Sequence, residues 1–141
     1  MEHLKQLSLE IFSEYQDKPV PIARWVVKTE NSNGEMLFVP DRGLLLYYTR
    51  NHDNHNFTHI WLCGVNKECR RQGVLRTMLR SMLSDPNCQE IISVHLNRKK
   101  FPEMIKILGH YGFARVGDVP TKHLERFEIG AKKLKKRLAP F

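Results

Sequence analysis

The chain has 141 residues, 41% of them hydrophobic and 27% charged, with a formal net charge of +8. That balance suits one globular domain with a real core and excludes collagen-like, low-complexity and membrane-spanning organisation, since no apolar run nears the roughly 20 residues of a spanning helix. The positive charge favours acidic partners such as nucleotides, nucleic acid or a phosphate-bearing cofactor, and it is concentrated late: residues 121–141 hold seven Lys or Arg against two Glu.

In chain order, Leu4, Leu7, Ile11, Phe12 and Tyr15 follow helical spacing and predict an amphipathic helix ending before DKPVP. The start MEHLKQLSLEIF is broken by polar residues too often to read as a secretory signal. ARWVVKT reads as a strand, ENSNGE as a turn, and MLFV and GLLLYYTR as strands separated by PDRG. NHDNHN reads as a solvated loop. Its His52 and His55, with nearby His59, have no matching cysteine or carboxylate cluster, so no metal site is predicted. FTHIWLCGV is the next strand. Cys63, Cys69 and Cys88 show no CxxC spacing, which argues against a disulfide framework and for a reducing interior, cytoplasmic or nuclear.

A helix follows, with Val74, Leu75, Met78, Leu79, Met82 and Leu83 on one stripe and Asp85-Pro86 stopping it. EIISVHL is a strand. FPEMIKILGHYG is a helix with Pro102 in its first turn and Gly112 at its end, and FARVGDV is a strand again. From Phe57 onward the pattern is strands joined by helical crossovers; before it, antiparallel strands joined by turns. Leu124, Phe127, Ala131, Leu134 and Leu138 make a helical stripe, yet RFEIG alternates and Gly130 interrupts it. The reading is a short extended piece, then a helix or basic tail.

The turn VNKECRRQGVL carries the chemistry. A helix start exposes amides with no internal partner and about half a positive charge, usually satisfied by a Ser, Thr, Asp or Asn cap. Between Glu68 and Val74 no such residue stands; the chain offers Arg70, Arg71, Gln72 and Gly73. Uncapped donors beside guanidinium groups suit a phosphate, and glycine lets it approach the backbone. The alternative is a solvated, arginine-rich helix start.

VNKECRRQGVL resembles the acyl-CoA signature of the GNAT superfamily of N-acyltransferases, R/Q-x-x-G-x-G/A, with Arg70, Gly73 and Leu75 at its defined positions. Val65, Glu68 and Val74 match its flanks, and EIISVHLN and YGFARVG resemble the strands that come after it, with Gly112-Phe113 about forty residues on. The resemblance spans Phe57 to Gly117. It implies an α/β fold, a central mixed twisted sheet of about six strands flanked by helices, in one acyltransferase domain whose residues 121–141 form a basic C-terminal segment. It also implies acetyl-CoA as co-substrate, its pyrophosphate at Arg70, Arg71, Gln72, Gly73, Val74 and Leu75, and an acyl carbonyl held by the backbone around Cys63 to Val65. Two positions depart from the family: Leu75 replaces a small residue, and Leu108 stands where many members have the tyrosine that protonates the thiolate.

Transfer to an amine needs a neutral amine, a polarised carbonyl and a proton for the leaving thiolate. By the two-residue period Ser93, His95 and Asn97 share one strand face, and His59, Trp61 and Cys63 another. His59 and His95 are candidate bases, Tyr111 a candidate acid, and Asn97 a contact for the pantetheine arm or a cap for the next helix. Satisfied strand histidines and a core tyrosine are the plain alternatives. The resemblance implies an N-acetyltransferase acting by direct attack of a primary amine on acetyl-CoA. A polyamine, a small metabolite, a protein lysine or a protein N-terminus would each supply that amine. The rivals are a CoA- or protein-binding module on the same fold and a nucleic-acid binder. The latter is disfavoured because the basic residues lie in two separated groups with few interleaved aromatics. No membrane partner is expected, and nothing in the sequence sets an oligomeric state.

Overall fold

The computed structural model describes Val27, Asn31, residues 34–119 and residues 123–139. The predicted helix over 4–15 lies outside them. The described elements are β1 (Glu35–Val39), β2 (Gly43–His52), β3 (His55–Val65), a 3-10 turn (Lys67–Cys69), α1 (Val74–Leu83), β4 (Ile91–Leu96), α2 (Pro102–His110), β5 (Ala114–Val119), β6 (Leu124–Gly130) and α3 (Ala131–Leu138). The six strands form one mixed sheet in the order β1-β2-β3-β4-β6-β5.

β2 and β3 make a long antiparallel hairpin whose register runs to His52 opposite His55. NHDNHN is exposed throughout, as expected, but it is strand at both ends rather than a loop. Only Asp53 and Asn54 turn, with φ of 52° and 65°, the left-handed pair that matches the twist of a two-residue hairpin and that Asp and Asn tolerate best. β3 then connects through α1 to β4, which it pairs in parallel. β4 connects through α2 to β5. Between those two strands β6 inserts, antiparallel to both.

The late segment keeps its extended piece and its helix, but the boundary is Gly130. Phe127 and Ile129 are buried while Arg126 and Glu128 are only half-buried, the two-residue alternation of a strand with one core face. Beyond it Leu134 and Leu138 are fully buried, so the basic segment is built into the fold. At the other end, Val27 and Asn31 are helical, at odds with the strand and the turn read at those two positions; most of ARWVVKT and ENSN lies outside the described residues. The sixth strand among the described residues is β6.

The three helices pack on one face of the sheet, where Leu45, Tyr47, Ile60, Met78, Leu79, Ile92, Phe127 and Leu134 belong to one buried cluster. At the C-terminus of α1 the Tyr47 hydroxyl donates to Asp85 Oδ2 at 2.7 Å, and the Asn87 amide donates to Asp85 Oδ1 at 2.9 Å. Burial, then the Asp85 carboxylate, raises the Tyr47 phenol above its ordinary value. The opposite face carries Leu44 and Leu46, fully buried, and a polar row that includes His59 and Ser93.

Candidate functional site

The turn before α1 leaves β3 at its C-terminal end and is tied to the β1–β2 turn, where the Asn66 amide donates to the Arg42 carbonyl at 2.7 Å. Arg71 sits at φ 67° and Gly73 at φ 79°. No side chain caps α1, and its first internal bond is the Thr77 amide to the Gly73 carbonyl at 3.0 Å. The Val74 and Leu75 amides thus have no acceptor within the helix. A Cβ on Gly73 would meet nothing within 4 Å, so the ground in front of those donors is open. Arg71 and Gln72 are exposed, while Arg70 Nε donates to the Val65 carbonyl at 3.2 Å and braces the turn against β3.

Leu75 is 9% exposed and points into the helix-side core. Its size is absorbed there, so its side chain does not stand before the uncapped amides. Gly43, which sequence reasoning misses, lets α1 dock this closely. A Cβ there would lie 2.7 Å from Val74 Cγ1 and 2.9 Å from Met78 Cε. Its one signal is the GLLL run opening on glycine.

Beside the turn the sheet opens. β3 and β4 pair only at Thr58–Ile92, His59–Ser93 and Ile60–Val94. Beyond Ile60 the β4-facing edge of β3 has no strand partner among the described residues. The register between β2 and β3 jumps here, from Tyr47–Ile60 to Leu46–Leu62, so Trp61 is the extra residue of a β-bulge, a device that bends a strand and re-aims the side chains beyond it. The bulge also inverts the alternation. His59 lies on the polar face, but Cys63, opposite Leu45, packs against the helix-side core. His59, Trp61 and Cys63 therefore do not share a face, because the two-residue period assumes no insertion. Burial pushes the Cys63 thiol up to about 12, so it stays protonated at neutral pH and is no nucleophile.

His59 and His95 do come together. Their ring centroids are 4.5 Å apart, and His59 Nδ1 lies 2.9 Å from Ser93 Oγ. His59 and Ser93 are buried at 4% and 3% exposure, whereas His95, one residue past the last β3–β4 pair, is half-buried at the mouth of the opening. Arg50 reaches across from β2, its Nη1 2.9 Å from His95 Nε2. A guanidinium can only donate, so that ring nitrogen is the acceptor. Tyr48 stands edge-on to His59 at 5.5 Å and to Trp61 at 5.9 Å; burial raises its phenol against the opposing pull of Arg50. Sequence reasoning names the histidines and misses Arg50 and Arg126, whose place on this face follows from pairings no single strand displays.

Asn97 acts locally. Its Oδ1 accepts the Lys99 and Lys100 amides at 2.9 and 3.1 Å, shaping the turn before α2 rather than capping the helix itself, whose N-cap is Phe101. Tyr111 is the C-cap residue of α2 and packs against the helix-side core, the face opposite the histidines.

No protein-family model and no curated protein matches this sequence. Solved structures match its fold. An acetyltransferase from Thermus thermophilus superposes with a TM-score of 0.74 at 14% identity, over 92% of this chain and 89% of its own. Arabidopsis thaliana Naa50, in complex with the bisubstrate analogue CoA-Ac-MVNAL, gives 0.63 at 14% identity, over 91% and 92%. A GNAT-family acetyltransferase from Bacillus cereus gives 0.50 at 28% identity, over 63% and 62%. The chain has the GNAT acetyltransferase fold.

Proposed function

We propose that this protein is an N-acetyltransferase that moves an acetyl group from acetyl-CoA directly to a primary amine. The observation that carries this reading is an uncapped, arginine-flanked helix N-terminus beside the point where β3 and β4 part. In it, the Val74 and Leu75 amides, with Arg71, Gln72 and the braced Arg70, hold the pyrophosphate. The pantetheine arm runs into the opening between Trp61 and His95, and the backbone over Cys63 to Val65 polarises the acyl carbonyl. Asn97 contributes through the turn it fixes. The ammonium loses a proton to His95, or to His59 with Ser93 behind it. Nitrogen then attacks the carbonyl carbon, the C–N bond forms, the C–S bond breaks, and the thiolate takes a proton from water, Tyr111 lying on the opposite face of the sheet. Three unpaired cysteines suit an intracellular setting, and no described helix is long and apolar enough to cross a membrane.

A second reading, a CoA-binding module without turnover, is favoured by one observation. Leu108, 2% exposed, is a core residue where the resemblance places a hydroxyl. Two measurements separate the readings. Millimolar CoA in low salt is expected to raise the melting temperature, and Gly73→Asp to abolish that rise while the protein stays folded, since a carboxylate then meets the pyrophosphate. No rise in the parent would sink both readings. A screen of amines with acetyl-CoA, following release of the CoA thiol, then tests transfer. CoA binding with no amine acetylated favours the module.

A further inference from the structure

The geometry points to the class of amine, resting on the transfer reading above: an amine that carries its own anionic group, which draws Arg50 off His95. The lone pair of His95 Nε2 that would take the ammonium proton is occupied by Arg50 Nη1 at 2.9 Å. Next to it a crevice is lined by Arg50, His52, Phe57, Ser93, Arg126 and Glu128. Two guanidinium groups there face one carboxylate, and Glu128 is already 3.3 Å from Arg126. Arg126 Nε is nonetheless buried and makes no hydrogen bond, its line to Glu128 being poorly directed. The crevice thus combines a buried guanidinium nitrogen that is ion-paired but not hydrogen-bonded with an arginine whose acceptor is an imidazole.

A carboxylate or phosphate is a better acceptor for a guanidinium than an imidazole nitrogen, because both partners are charged and two parallel bonds form. An acceptor bearing such a group takes Arg50 as its anchor, and the His95 ring, relieved of the guanidinium, then takes the proton of the ammonium on the same molecule. One N–H bond of the ammonium breaks, an imidazolium N–H forms, and no other group changes. A polyamine brings only positive charge to this crevice and leaves Arg50 on His95. Arg50 is a binding residue for the anion and a positioning residue for the base, so the site rejects the wrong amine by keeping its base occupied.

The test uses amines matched but for the anion: propylamine against β-alanine, ethanolamine against phosphoethanolamine, with spermidine as the polycation. Two readouts are taken, CoA thiol release with acetyl-CoA and calorimetric binding to the protein saturated with CoA. The anionic member of a pair is expected to have at least about 10-fold higher kcat/KM, the scale of a charge-assisted contact. Arg50→Gln should bring the ratio to about one from both sides, losing rate with the anionic amine and gaining it with the neutral one. Arg50→Lys keeps part of the preference. A merely structural Arg50 would lower both members together, and that result, like a parent that prefers spermidine or shows no preference, overturns the inference while leaving transfer intact. Anion-dependent, Arg50-dependent binding with no turnover overturns the transfer reading and keeps the site. Neither binding nor turnover overturns both.

Discussion

At Gly112 the backbone turns to φ 99°, and the Phe113 amide reaches back to the Leu108 carbonyl at 3.0 Å while the Gly112 amide bonds Gly109 at 3.0 Å. This is the paired closure that ends a helix on a left-handed glycine, and it is accompanied by apolar contact between the two residues it joins. Leu108 and Phe113 are 2% and 6% exposed. A tyrosine at 108 would bring a hydroxyl into that contact, which is a physical reason for a leucine there. Gly112→Ala is expected to lower stability by about 1–2 kcal/mol from the left-handed backbone alone. Its Cβ would also lie 3.2 Å from Ile129 Cδ1. Urea midpoints at constant slope measure the change, and an unshifted midpoint would mean that the helix end relaxes without cost.

Between elements, the contact that matters most to the site is the one Gly43 permits, because it sets how near the start of α1 lies to the sheet. Gly43→Ala must displace Val74 and Met78, an overpacking cost of about 1–3 kcal/mol, and with them the amides facing the anion. The variant is expected to fold less stably and to need more CoA for the same rise in melting temperature. Destabilisation with an unchanged CoA titration would separate docking from binding. Elements with a strong single period are legible in the sequence: α1, β4, α2 and β5 stand out nearly to the residue. Those set by pairing do not. The bulge at Trp61 leaves no mark in the composition of β3, and the alternation Arg126-Phe127-Glu128-Ile129 is overshadowed by a helical stripe that happens to run through it.

Across the described residues the sheet divides two kinds of work, a face carrying α1, α2 and α3 and a face that holds, beside buried Leu44 and Leu46, the polar row of His59, Ser93, His95, Arg50 and Arg126. The turn proposed to hold the anion is legible because its chemistry is contiguous, four residues beside a helix start. The polar face is half legible, because its members come from four strands and meet only through the register. The basic segment shows the same division. Leu134 is fully buried, whereas Lys132 and Lys136 are exposed. Leu134→Ala is expected to cost about 2–5 kcal/mol. Replacing Lys132 and Lys136 by Gln should shift stability by less than about 0.5 kcal/mol. Denaturant titration of both variants decides whether the segment serves the core or only carries charge.

Chain order and sheet order disagree in one place: β6 is made after β5 and yet lies between β5 and β4. β5 touches the sheet only through β6, so the two join it as one hairpin, with β6 as the strand that docks on β4. A chain released before residue 124 would keep β4 as an open edge, and a peptide copying Leu124–Gly130 is expected to bind there, which a titration of that truncated chain would measure.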